Sequence, residues 1–554
     1  MSEPPKPDVE PLVPFDAVYD ERVRIRPFDV GVFVVLVALV ASGQGRWLSV
    51  PIGTCVLAFV YAWRARRVID VRERLAAVEV FTGVLAFTAT ACIAYRSSIE
   101  IDYVARTFLR PSLTARLVAL SLGAFLLGTA VAFAGRRWAC VAHRRDDRLV
   151  DVELAAGFWA PESSRRLDVR RVVSAGCVPF VVVAVASVIP FSLTSPFGFV
   201  VPIALGVGWW CGPRSSLFLV VGAAAAWAIA VQPGRVASSV PWCAVVGFVA
   251  AGLAVWFECA RSARAADVRL GGGERFRLEI GGLGTRAEPM VLRTEQQLSF
   301  VACVMWAFVA IALIALAAPH AMWTVHASAF AATASIVVVG LAAAAAAIAA
   351  TVLVSSQWVG AFGLFVVTPG AVGLAQLWGG IAPALALGGG CAIVGASAAT
   401  FVLQVGVRAG ATPHRTQRAW LIGACLGLIV PAVLGVVSAH ADRESLGPAV
   451  ADVVLPVEWT RVRTLLAADV VKPTTLAALV GFGLEVGVGG GAGVAVALGF
   501  LLGPVGAILV GLAAFVAARL RRRGLSLEQD RSIGAGLTLG GLLAFVAQFV
   551  WLRW

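Results

Sequence analysis

Residues 204–227 read ALGVGWWCGPRSSLFLVVGAAAAW, and residues 495–518 read AVALGFLLGPVGAILVGLAAFVAA. Gly208, Gly212 and Pro213 of the first stretch match Gly499, Gly503 and Pro504 of the second in spacing, and a Gly/Ala-rich run follows each. Both read as a short helix that ends at Gly-Pro, with a new small-residue helix starting beyond it. Gly and Pro at corresponding positions of two halves are the mark of discontinuous helices near a midplane substrate site. Small residues also let helices approach closely, and Gly-Pro is ordinary turn chemistry, so tight packing at a hairpin is the competing reading.

Outward from this echo, the composition sets the class. Of 554 residues, 59% are hydrophobic and only 14% charged, and the mean hydropathy is +0.87. Soluble domains carry roughly 25% charged residues. A span needs about 20 mostly apolar residues, so the apolar content corresponds to about 16 spans. The expected fold is an all-α polytopic membrane protein of two related eight-helix halves with broken or short helices. The halves are residues 29–258 and 298–554. A tail, 1–28, precedes them and a basic linker, 259–297, separates them. Within the first half, 196–211 and 214–232 count as separate spans. In the second, 491–518 is one run or two short elements. A short β-hairpin is expected around 275–293.

The formal charge is +13, and since Lys6 and Lys472 are the only lysines, 43 of the 45 basic residues are arginine. They gather in loops that flank apolar runs, such as Arg64, Arg66, Arg67, Arg72 and Arg74. Basic loops of this kind stay in the cytoplasm. That reading excludes nucleic acid as the partner and places the N-terminus, which has no secretory signal, inside the inner (plasma) membrane. The ten cysteines include no CxxC pair, which leaves them as small buried apolar groups. No P-loop is present, so a primary ATP-driven pump in one chain is excluded. Neither a metal nor a cofactor is expected.

Ionisable groups inside spans are costly and mark ion or substrate pathways. Glu79 and Glu485 are the two carboxylates well within apolar runs, and each is suited to carrying a proton as access alternates. Glu79, five residues beyond Arg74, is otherwise read as solvated at the cytoplasmic interface. Gln357, Thr368, Gln376 and Gln404 are uncharged candidates, each of which also serves as interhelical glue. Thr368-Pro369-Gly370 is the better placed, because proline in mid-span frees a backbone carbonyl. His320 and His326 are too far apart in sequence to make a metal site by themselves.

Several stretches in order resemble the oligopeptide transporter superfamily, which includes the yellow-stripe-like metal-chelate branch. Residues 391–432, CAIVGASAATFVLQVGVRAGATPHRTQRAWLIGACLGLIVPA, are similar to its Ala-rich helix, its short basic loop and the Gly-rich helix ending in proline. The loop reads Gly410-Ala411-Thr412-Pro413. Thr368-Pro369-Gly370 stands at the place of the family's Asn-Pro-Met-Gly. Residues 118–158, with Arg136-Arg137 and Val152-Glu153-Leu154, look like the segment before its fifth helix. Gly534 to Gly541, GAGLTLGG, is similar to its closing motif. The chain departs at Gly541, where the family has glutamate, and at Thr400 and Gln404, where its Ala-rich helix is acidic. Val78-Glu79-Val80 stands for its third helix.

The resemblance implies secondary transport of oligopeptides or metal chelates driven by a proton gradient. Expected partners are the lipid bilayer and a small-molecule or peptide substrate, with a homodimer admissible. Two alternatives stand beside this. One is a polytopic glycosyltransferase using lipid-linked sugars, with Glu100 and Asp102 beside Arg96 in an external loop. The other is a divergent membrane scaffold that no longer transports.

Overall fold

A computed structural model describes residues 26–41, 50–64, 74–90, 111–135, 150–159, 167–186, 201–231, 240, 242–255, 257, 300–321, 329–356, 382–409, 411, 413–427, 429–430, 468–489 and 491–553. Regular structure among them is entirely helical. In chain order the helices are α1 (Pro27–Ala41), α2 (Val50–Arg64), α3 (74–90), α4 (Pro111–Ala134) and α5 (Val150–Ala156), the last extended by a 3-10 turn, Gly157–Trp159. Then come α6 (Val169–Gly176), α7 (Val178–Ala186), α8 (Val201–Ala230), α9 (242–255), α10 (Phe300–Ala321), α11 (Ala329–Ser356) and α12 (Ala382–Arg408). The last four are α13 (Pro413–Gly427), α14 (Ala468–Gly487), α15 (Ala492–Arg522) and α16 (Leu527–Arg553).

Helices of the two sequence halves interleave. α4 packs on α10, α11 and α12, while α8 packs on α15 and α16, and α16 also covers α6 and α7. At the centre of the first group stand α3 and α12, buried on every side: residues 75–90 and 390–406 have no exposed position. A helix apolar all round is one surrounded by other helices or lipid. The hydroxyls in this interior turn back on their own helices. Thr82, Thr88 and Thr90 of α3 donate to the carbonyls of Val78, Val84 and Ala86 at 2.8, 2.8 and 3.0 Å. Ser397 and Thr400 of α12 do the same to Ile393 and Ala396 at 2.6 and 2.7 Å. Such bonds satisfy a polar group where no water reaches it.

The outer faces are apolar instead. Leu316 of α10 is 72% exposed and Ile508 of α15 is 70% exposed, in company with Val301, Phe308, Leu479, Val486, Leu512 and Phe515. Among the described residues, Ile336–Val354 in α11 and Leu387–Gly406 in α12 are long and apolar enough to cross a membrane.

The expected helix breaks at Gly-Pro are absent. α8 is helical through Gly208, Gly212 and Pro213, which merges the spans expected at 196–211 and 214–232. α15 is helical through Gly499, Gly503 and Pro504, so the split of 491–518 is absent as well. Pro213 has no N–H to give the carbonyl four residues back, that of Trp209. Arg521 supplies the missing donor, its Nη2 lying 3.0 Å from that oxygen. Arg521 is held in place by Asp530, with Nε 3.0 and 2.9 Å from the two carboxylate oxygens, and Trp209 Nε1 donates to Asp530 Oδ1 at 3.0 Å.

The matched stretches meet each other. A Cβ at Gly208 would collide with the backbone of Val510, and one at Gly499 with that of Leu219. Gly208 aligns with Gly499, and Leu219 with Val510, so the two contacts are one contact repeated about a local two-fold axis.

Candidate functional site

Where α3 begins, α12 ends and α13 begins, polar side chains collect inside the bundle. Glu79 lies in the second turn of α3, 1% exposed. Thr416, in the first turns of α13, donates from Oγ1 to Glu79 Oε1 over 2.9 Å. Arg415, also buried, is the neighbouring cation whose charge acts on Glu79. The other carboxylate oxygen, Oε2, is buried with no hydrogen-bond partner. Two further side-chain nitrogens in these helices make no hydrogen bond: Gln404 Nε2, which at half a turn from Gly406 lies on the other side of α12, and Trp420 Nε1, one turn beyond Thr416 on α13. Buried polar atoms normally find partners, and the orphaned oxygen of Glu79 asks for a ligand, water or ion.

Close backbone contact makes the arrangement. Gly83 of α3 meets Gly423 and the carbonyl of Trp420 on α13, with room for hydrogen alone. That contact brings Glu79, one turn earlier, against Thr416, one turn before Trp420. From α12, Gly406 completes the fit: a Cβ there would stand 2.5 Å from Thr416 Oγ1 and 3.2 Å from Glu79 Oε1. Below, the Trp420 ring stacks on Phe125 with centroids 6.0 Å apart, so α4 closes the floor.

A buried carboxylate with one oxygen anchored and one open can accept a hydrogen bond, an ammonium group or a proton. The Thr416 bond and the Arg415 charge hold one side of the carboxylate, so any such partner meets it at Oε2.

Glu79 is thus brought against Thr416 and Gly406, whereas Gln404 lies half a turn from Gly406 on the other side of α12, and the reading of Glu79 as a solvated interfacial residue is corrected by its burial. Glu485 sits elsewhere and is fully engaged. Its Oε1 accepts from the Gly491 N–H and its Oε2 from the Gly493 N–H, each at 3.0 Å, so it caps the start of α15. Gly489 and Gly491, at φ +65° and +80°, make the turn that carries the chain back over it. Gly208, Gly212, Pro213, Gly499, Gly503 and Pro504 lie within α8 and α15. Gln357, Thr368, Pro369, Gly370 and Gln376 are outside the described residues, as are Arg96, Glu100, Asp102 and the whole 259–297 linker with its expected hairpin.

Sequence reasoning missed Thr416, Arg415 and Gly406. The available signal was the polar quartet His414-Arg415-Thr416-Gln417 at the head of an apolar run, which reads as part of a basic loop until α13 is seen to begin at Pro413. Among the described residues, no group of three or more His, Cys, Asp or Glu side chains is placed to hold a metal ion. No protein-family model matches the chain, and neither curated proteins nor solved structures give a match.

Proposed function

We propose that this chain is a multi-pass membrane carrier that moves a small polar organic solute, with Glu79 as the group that couples movement to protons. The observation that carries the reading is the free oxygen of Glu79, buried in a helix that is itself enclosed on all sides. Carboxylates in such places are retained for ion or substrate pathways. The outward Leu, Ile, Val and Phe side chains support lipid as the surrounding medium, since exposed apolar surface on this scale is unfavourable in water. The motif order similar to the oligopeptide transporter superfamily suggests the cargo class, short peptides or metal chelates. Both classes carry the ammonium or amide N–H groups that the open oxygen of Glu79 can accept.

Reconstitution into proteoliposomes tests it. The expected result is uptake of a short peptide or a metal chelate that rises when an inward proton gradient is imposed. Absence of uptake of either class, by protein that is folded and correctly inserted, would overturn the proposal.

A further inference from the structure

Beyond Pro213 and Pro504, α8 and α15 enclose an apolar groove of about 630 Å³. Val220, Ala224 and Trp227 line it from α8, four and then three residues apart, which is one helix face. Ile508, Leu512 and Phe515 line it from α15 at the same spacing. Gly511 lies among them, and a Cβ there would meet nothing within 4 Å. The groove is open to its surroundings, since Ile508, Leu512, Phe515 and Trp227 are all exposed.

The groove-lining face of α15 ends in charge. Arg519 follows Phe515 by one turn and Arg522 by two, and both are exposed. From Ala507 to Phe515 the helix rises about 12 Å at 1.5 Å per residue. One leaflet of a bilayer holds roughly 15 Å of hydrocarbon, so the arginines stand where headgroups begin.

The acids that could neutralise these arginines are engaged or lie out of reach. Among the described residues neither Arg519 nor Arg522 has an ion-pair partner. The chain is described without a break from Gly491 to Arg553, and Glu528 and Asp530 are the two acids within it. Asp530 is held by Arg521 and Trp209, and Glu528 pairs with neither arginine. Of the undescribed stretches that adjoin α8 along the chain, 187–200 has no charged residue and 232–239 has Arg235 alone.

We propose that the groove and the two arginines together bind an anionic phospholipid, with an acyl chain between α8 and α15 and the phosphate on Arg519 and Arg522. Guanidinium forks match phosphate oxygens in geometry and charge. A zwitterionic lipid offers the same chain but brings its own ammonium group to the arginines, and a soluble phosphate leaves the groove unfilled. The leaflet agrees. The Asp168 N–H donates to Ser532 Oγ at 2.9 Å, so the start of α6, with the exposed Arg170, shares this end of the bundle. Basic segments are kept on the cytoplasmic side, where the leaflet is rich in anionic lipid. The proposal shares only the membrane setting with the transport reading. A chain that moves no solute would still hold this lipid, and a carrier lacking the site would still transport.

Photolabelling tests it at the site itself. Full-length protein is reconstituted in phosphatidylcholine vesicles with a titrated probe, phosphatidylglycerol or phosphatidylcholine carrying a diazirine at the end of one acyl chain. Labelled peptides are then mapped by mass spectrometry. Labelling of 220–227 and 507–515 should saturate at far lower phosphatidylglycerol than phosphatidylcholine. Arg519→Gln or Arg522→Gln should weaken that affinity about fivefold and the pair about 25-fold; both side chains are exposed and unpaired, so the thermal midpoint should hold. Gly511→Leu fills the groove without a clash and should abolish the labelling by either probe. Equal labelling by the two lipids, an unchanged affinity in the double Gln variant, or full labelling of Gly511→Leu overturns the proposal.

Discussion

Thr416 donates to one oxygen of Glu79 across the α3–α13 contact at 2.9 Å, and the second oxygen has no partner. This asymmetry is the chemical content of the candidate site. In Glu79→Gln the side chain keeps its shape and its bond to Thr416, but it no longer exchanges a proton. Proteoliposomes carrying this variant should still exchange labelled for unlabelled solute and should lose accumulation driven by a pH gradient. Gradient-driven accumulation at the wild-type level would remove Glu79 from the coupling role.

Thr416→Val removes the donor and leaves both carboxylate oxygens unmet. Loss of a buried partner costs about 1–3 kcal/mol, so the thermal midpoint in detergent should fall while Thr416→Ser stays near the wild type. A Thr416→Val midpoint equal to that of the wild type would show that the bond contributes nothing.

Gly406→Ala places a methyl group against the Thr416 hydroxyl and pushes it off Glu79. Overpacking of this kind costs about 1–3 kcal/mol. Combining it with Thr416→Ala makes room again, so the double variant should be more stable than the sum of the single losses. Simple additivity in a double-mutant cycle would contradict the contact.

Glu485 holds the first N–H groups of α15. Glu485→Ala should cost about 1–2 kcal/mol, the range for a lost helix cap, and should speed hydrogen exchange at Gly491 and Gly493. Transport per folded molecule should be unchanged. A selective loss of transport with normal exchange rates would return Glu485 to the pathway.

Arg521 and Pro213 form the most discriminating pair. Arg521→Met strips the Trp209 carbonyl of its donor and breaks the pair with Asp530. Adding Pro213→Ala restores a backbone N–H four residues beyond that carbonyl, and part of the stability should return. Coupling of about 0.5–3 kcal/mol is expected, measured by thermal denaturation of the four proteins; zero coupling would show that the carbonyl finds another donor.

Several features were legible in the residues alone. The lack of charge over long runs determines helix in an apolar setting, because an unpaired backbone group has no partner there, and the described residues are helical. The carboxylate of Glu79 stands out for the same reason, being the costly exception in an apolar run. The likeness between 204–227 and 495–518 is also a property of the sequence, and it carries through to reciprocal contacts.

What the echo means was decided only by tertiary structure. Gly-Pro reads locally as a stop, yet at Pro213 a distant arginine supplies the bond that proline withholds and the helix continues. Glu79 and Glu485 look alike in sequence, each a lone acid among apolar neighbours. A glycine contact between α3 and α13 leaves the first with an open oxygen, whereas a turn of left-handed glycines folds two N–H groups onto the second. Hydrogen bonds between residues hundreds of positions apart depend on where helices cross, and local composition carries no record of that.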